Sequence, residues 1–196
     1  MPLLHRVDDE IEVLRIETPE EIARWRAGFT GAYQTIFSDE PYFERIYPNE
    51  AEGRWNKLTS LTETTTLVAV RNGSQVVGFG IGHPLRHKAD VARQLAGLIP
   101  VPHTYYFAEL GVMHDFRTRG LGRQLVQDRL NLVDKSTYSH IILRVAASKN
   151  PSYDMYRSMG FEDMGVYMEV QAMRIDGRVT TDRRLFLCCV ISQIIR

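Results

Sequence analysis

The sequence predicts an α/β domain with a mixed β-sheet, and three observations carry that expectation. Apolar, β-branched runs of strand length alternate with longer segments whose apolar residues recur every three or four positions. Two pairs of strand-like runs are joined around Asn72-Gly73 and Asp176-Gly177, which are hairpin signals. The order that results is strand, two helices, hairpin, strand, helix, strand, helix, hairpin, which calls for a mixed sheet and not an all-parallel one. At 196 residues, 44% of them hydrophobic, the chain is expected to form one domain over residues 1–196 with a full core and no staples.

The first strand is expected at residues 11–16, where Ile11, Val13, Leu14 and Ile16 are apolar. Thr18-Pro19-Glu20-Glu21 then reads as a helix start: Thr18 caps, Pro19 suits the first turn, and Glu21 closes a capping box. Ile22, Trp25, Phe29, Ala32, Tyr33 and Ile36 form one face of that helix, with Gly28 and Gly31 as places for a break. A second helix over residues 50–61 buries Ala51, Trp55 and Leu58. Residues 66–71 and 75–82 make the first hairpin, and residues 87–98 read as helical up to Pro100. A strand at 104–112, a helix at 120–135, a strand at 140–145 and a short helix at 151–159 follow. Residues 166–174 and 184–191 make the closing hairpin.

Composition excludes several classes of function. Lysine plus arginine equals aspartate plus glutamate, 24 against 24, so no bulk field exists to hold nucleic acid or an anionic membrane. No run approaches the length of about 20 apolar residues that a membrane span requires. Residues 1–10 include Asp8, Asp9 and Glu10, unlike a signal peptide, and a cytoplasmic setting is expected. Cys188 and Cys189 are adjacent in an apolar run and read as small core residues, not as a redox or metal pair. His83 and His87 have helical spacing, but Pro84 lies between them, and no metal site is expected.

Residues 109–122 hold the chemistry. A strand ends, a basic glycine loop follows, and a helix begins whose apolar face is Leu121, Leu125, Val126, Leu130 and Val133. First-turn amides of a helix lack internal partners, and the macrodipole makes that end positive. Gly120 and Gly122 remove side chains that would hold an anion off the backbone, and Arg117, Arg119 and Arg123 add positive charge. These are the parts of a pyrophosphate cradle. No Gly-Lys-Ser/Thr ending marks a P-loop. Gly78-Phe79-Gly80-Ile81-Gly82 lies within a strand, where close packing accounts for its glycines better than a dinucleotide site does.

Arg117-Thr118-Arg119-Gly120-Leu121-Gly122 resembles the Arg/Gln-x-x-Gly-x-Gly/Ala signature of the GNAT N-acetyltransferases, with Val112 five residues upstream. Asn150 and Tyr156-Arg157-Ser158-Met159-Gly160-Phe161 resemble that family's Asn…Tyr-x-x-x-Gly-Phe segment, with asparagine ten residues before the glycine. The order of strands and helices matches along nearly the whole chain. The resemblance implies a GNAT fold, a mixed central sheet flanked by helices in which splayed central strands bind acetyl-CoA. It also implies transfer of an acetyl group to a primary amine.

By that resemblance, the acetyl-CoA pyrophosphate sits on the loop made of Arg117, Thr118, Arg119, Gly120, Leu121, Gly122 and Arg123. Backbone groups of Val112 and Met113 pair with the pantetheine arm, and the Val112 amide faces the thioester oxygen, where charge develops. Asn150 contacts the same arm, or caps the helix opening at Pro151, or does both. Tyr156 stands at the family's position for the acid that protonates the leaving thiolate. Glu109 is a candidate base or acceptor contact. Residues 109 and 112 of a regular strand face opposite ways, unless a bulge intervenes. His103 is an alternative base.

The favoured acceptor is a small-molecule amine, with a peptide or protein amine, a longer acyl-CoA donor, and an idle acyl-CoA-binding module as alternatives. The segment 38–48 mixes acids and aromatics, which suits a cationic amine. The long connection 83–103 is expected to wall the acceptor cleft. The apolar end, residues 185–195, is a possible homodimer contact.

Overall fold

Apolar residues in both phases of a strand's period-two alternation require a sheet covered on both faces. That is the arrangement in the computed structural model, which describes residues 3–147 and 150–194, the side chains of 193 and 194 excepted. In chain order the elements are β1 (Leu3–Arg6), β2 (Ile11–Arg15), α1 (Pro19–Ser38), α2 (Pro48–Thr59), β3 (Thr65–Arg71), β4 (Gln75–Pro84) and α3 (Ala89–Gln94). There follow β5 (Thr104–Val112), α4 (Leu121–Leu132), β6 (His140–Ala146), α5 (Pro151–Ser158), β7 (Glu162–Met173), β8 (Val179–Val190) and α6 (Ile191–Ile194). The strands form one mixed sheet in the order β1-β2-β3-β4-β5-β6-β8-β7, in which β5 and β6 are parallel and the other neighbours antiparallel.

In β3, Val68 and Val70 pack toward α1 and α2, against Phe29, Trp55 and Phe79. Leu67 and Ala69 face the other way, with Leu121 and Leu125 of α4. The same division runs across the sheet: Ile141, Leu143, Leu187 and Cys189 join Val126 and Leu130, whereas Ile142 and Phe186 join Leu85, Val91 and Leu95 around α3. Each fully buried large apolar side chain contributes roughly 1.5–3 kcal/mol through removal from water.

Thr18 caps α1 as its sequence predicts: Glu21 N donates to Thr18 Oγ1 at 3.3 Å, and Thr18 N donates back to the Glu21 carboxylate at 3.2 Å. The glycine break does not occur. A Cβ at Gly28 would lie 2.8 Å from Val76 Cγ2, so this glycine lets α1 settle onto β4. In β4, a Cβ at Gly80 or Gly82 would lie 2.9 Å from Arg129 Nε or 2.7 Å from Tyr105, confirming packing as the reason for glycine there.

Other expectations change. The helix at 87–98 is a 3-10 turn, Leu85–His87, followed by the six residues of α3. β1 was not expected; it is short and largely exposed, held by pairing to β2 and by His5, 3.5 Å from Asp128 of α4. In the apolar end, Phe186, Leu187, Cys189 and Ile191 are buried within the chain and Leu185, Cys188 and Val190 are half-buried; Ile195 lies outside the described residues. No described helix is long and apolar enough to cross a membrane.

Burial pushes the Cys188 thiol up to about 11 and the Cys189 thiol up to about 12, so both stay protonated at neutral pH. A disulfide reagent at pH 8 is expected to titrate neither thiol rapidly in the folded protein and both after denaturation. Rapid native-state reaction would contradict this packing of β8.

Candidate active site

The parallel pair at the centre of the sheet comes apart. β5 and β6 are in register from Thr104 opposite His140 only as far as Phe107 opposite Leu143. Beyond that point β5 stays with β4 up to Val112, and β6 stays with β8 through Ala146, so a wedge opens between them. A bulge sits at the point of divergence: Gly82 is opposite Phe107, but Ile81 is opposite Glu109, leaving Ala108 as the extra residue. The bulge lies before Glu109, not between Glu109 and Val112, and it turns Glu109 onto the face that carries Tyr106. There Arg54 Nη1 donates to Glu109 Oε1 at 2.8 Å and Tyr33 Oη to Oε2 at 3.4 Å. Burial, and then the Glu109 charge, push the Tyr33 phenol well above its ordinary value.

At the far end of β5, Met113 N donates to Val77 O at 2.9 Å, and Met113 O accepts from Phe116 N at 3.0 Å. Met113 therefore has both backbone groups engaged within the chain, contrary to the expectation that they pair with pantetheine. Because strand groups alternate in direction, the Val112 amide faces the open wedge. Its carbonyl accepts from Arg117 Nε at 3.0 Å, which fastens the loop to the strand.

The loop has the conformation its glycines allow. Thr118 (φ 63°) and Gly120 (φ 82°) are both left-handed. A Cβ at Gly120 would meet nothing within 4 Å, so the position is glycine for its backbone and not for packing. A Cβ at Gly122 would touch Met155 Sδ at 3.6 Å and Val112 Cγ2 at 3.8 Å, bringing α4 close to α5 and to the end of β5. Among the described residues, no group accepts from the amides of residues 119–123. Of the three arginines, Arg117 reaches Glu40 O at 2.9 Å, Arg119 lies 5.5 Å from the Phe116 ring centre, and Arg123 donates to Ser158 Oγ at 2.6 Å. Unpartnered amides over open space at a positive helix end fit a diphosphate.

Asn150 caps α5. Its Oδ1 accepts from Tyr153 N at 3.0 Å and its Nδ2 donates to Ala146 O at 2.9 Å, so the side chain ties the end of β6 to the helix. Two turns on, Tyr156 is buried with its ring 5.3 Å from that of Phe161. Burial pushes its phenol above the ordinary value, and Arg129 pulls it part of the way back.

Arg129, like Arg54 and Arg144, is a residue that sequence reasoning missed. It is fully buried on α4, with its guanidinium 4.1 Å from the Phe107 ring centre. Nε donates to Leu125 O at 3.1 Å, and Nη1 to Glu109 O at 3.1 Å and Ile81 O at 3.3 Å; among the described residues nothing accepts from Nη2. Its position, four after Leu125 and three after Val126, placed a cation on an apolar helix face, and that was the available signal.

A cavity of about 340 Å³ brings Glu109, Asn150 and Tyr156 together with Tyr33, Tyr42, Glu44, Arg54 and Arg144; Val112, Met113 and the loop at residues 117–123 do not line it. Tyr42 and Glu44 come from the α1–α2 connection, and Lys88 and Asp90 from the long β4–β5 connection. Arg45 N donates to Met173 O at 2.7 Å and Ile175 N to Phe43 O at 2.9 Å, fastening the α1–α2 connection to the β7–β8 hairpin. His103 precedes β5 at the other end from Glu109, about 20 Å away at strand spacing, and drops out as a base. Among the described residues no cluster of three or more His, Cys, Asp or Glu could hold a metal ion.

Residues 24–161 match the model of the Acetyltransferase (GNAT) family, and the chain belongs to that family. It is an acyltransferase, and acetyl-CoA is its acyl donor. An acetyltransferase structure from Acinetobacter baylyi ADP1 superposes with a TM-score of 0.66 at 13% identity, covering 92% of each chain. One from Salmonella typhimurium, determined with its cofactor acetyl-CoA, gives 0.62 at 16% identity over 93% of this chain and 95% of that one. The ribosomal-protein-S18-alanine N-acetyltransferase of Escherichia coli gives 0.59 at 16% identity over 92% and 94%. At these identities the likeness is one of fold. No curated protein matches by sequence.

Because three carbonyls pin Arg129, a methyl group at residue 80 cannot push it aside cheaply. Gly80→Ala is expected to lose about 1–3 kcal/mol, a fall of several degrees in Tm. An unchanged Tm would show that the guanidinium is free to move.

Proposed function

We propose that this protein acetylates the primary amine of a small molecule by direct attack on acetyl-CoA, with Glu109 and Tyr156 as the reacting side chains. The observation that carries this reading is that one cavity at the strand divergence is lined by both Glu109 from β5 and Tyr156 from α5. A volume of about 340 Å³, lined by Tyr42 and Glu44 of the α1–α2 connection and by Val170 and Ala172 of β7, suits a small acceptor better than a peptide. With such a donor and two unpaired cysteines, a reducing cytoplasm is the proposed setting.

The amides of residues 119–123 hold the donor's diphosphate, with Arg117, Thr118 and Arg119 shaping the turn and Arg123 at its rim. The thioester supplies an activated acetyl carbon. The Val112 amide meets the thioester oxygen as that oxygen gains charge. Glu109, directly or through water, takes a proton from the amine as the N–C bond forms. As the C–S bond breaks, Tyr156 gives its phenolic proton to the departing sulfur. Asn150 holds the end of β6 to α5 and so keeps Tyr156 in place. Arg129 steadies the phenol from beneath and anchors the Glu109 backbone.

Free-thiol release from acetyl-CoA across a panel of amines tests this. Tyr156→Phe is expected to lower kcat about 100-fold. Burial holds the Tyr156 proton through pH 7–9, so any rise in rate over that range belongs to deprotonation of the acceptor amine. It should keep its shape in Tyr156→Phe while its height falls; an unchanged kcat would end the assignment. Separately, the increase in Tm given by acetyl-CoA should vanish in Gly120→Asp, whose carboxylate meets the diphosphate. Protection that survives the substitution would remove the loop from the donor site.

A further inference from the structure

The charges around the cavity leave one cation over. Four basic side chains line it, Arg54, Lys88, Arg144 and Arg184, against three acidic ones, Glu44, Asp90 and Glu109. Each acid is taken: Glu109 by Arg54 at 2.8 Å, Asp90 by Lys88 at 3.0 Å, and Glu44 by Arg184 at 3.0 Å. Among the described residues, Arg144 has no carboxylate within 4 Å. We infer that Arg144 binds an anionic group of the acceptor, and that the acceptor is an amine that also carries a carboxylate.

Arg144 is the first residue of β6 beyond the last pair with β5, so it stands on the side of the wedge opposite Glu109. It is half-buried and held in place: Nε donates to Tyr106 Oη at 2.9 Å, and Nη1 approaches Met168 Sδ at 3.2 Å. A guanidinium has five N–H groups, and these two contacts leave three for a ligand. A solvated surface arginine would sweep through many rotamers. This one is held by side chains of two other strands, Tyr106 of β5 and Met168 of β7, so its planar fork is already oriented. A carboxylate is the planar anion that accepts two parallel N–H bonds from such a fork. With Glu109 in the same cavity to receive the amine, the two ends of an amino acid meet opposite charges.

The inference rests on the small-amine reading above, and the test separates the two. Acetyl transfer is measured for pairs of free amino acids and their carboxamides, which differ only in the anionic group. The wild-type protein should prefer the free acid by at least about tenfold in kcat/KM, and in Arg144→Gln the preference should fall toward one. Arg144→Lys, which keeps the charge and loses the fork, should fall between them. Equal use of acid and amide by the wild type, or a preference that persists in Arg144→Gln, overturns the inference and leaves acetyl transfer standing. Better use of C-terminally amidated peptides than of any free amino acid overturns it as well. If no amine is acetylated, the small-amine reading fails, and Arg144 is judged by calorimetry with CoA present. N-acetyl amino acids should then bind the wild type and not Arg144→Gln, and absence of binding to the wild type sinks the anion site.

Discussion

The parting of β5 from β6 is the constraint from which the rest of the site follows. Two parallel strands that stop pairing expose backbone groups and open a gap in the middle of a covered sheet, and both must be dealt with. On the α4 side a buried arginine fills the gap: Arg129 carries N–H groups to the carbonyls of Ile81 and Glu109 and lays its plane against Phe107. Burying a cation with no carboxylate partner is costly, and three carbonyls with an aromatic face offset only part of that cost. The remaining field falls on Tyr156, so the residue that stoppers the divergence also acts on the proposed acid.

Much of this was legible in the sequence because it depends on local rules. The glycine loop and the helix after it lie within sixteen residues, 117–132, and the capping box at Thr18 spans four. The bounds of β5 match the strand expected there. Arg54, Arg129 and Arg144 were not legible, because their roles come from three elements meeting at a strand separation that no local pattern encodes. The length of α3 was misjudged for a related reason. The apolar spacing through residues 87–98 is real, but Leu85, Val91 and Leu95 meet the sheet from a turn and a short helix, and Gly97 takes a left-handed backbone that ends any longer one.

Glycine serves the fold in distinct ways that share one letter in the sequence. Gly28, Gly80 and Gly82 give up a side chain so that another element can approach, whereas Gly120 gives up nothing that packs and is chosen for its positive φ. That difference separates the two glycine-rich stretches, and it explains why only the second opens onto solvent-facing amides.

Donor and acceptor are held by different kinds of chemistry. The loop at residues 119–123 presents main-chain amides, which side-chain drift leaves intact as long as the glycine geometry persists. The cavity presents side chains, from segments as distant in the chain as Tyr42 and Arg184. Selection can therefore rework what is acetylated, one side chain at a time, without disturbing the grip on what does the acetylating. A scaffold arranged in this way can acquire new clients while its currency stays the same.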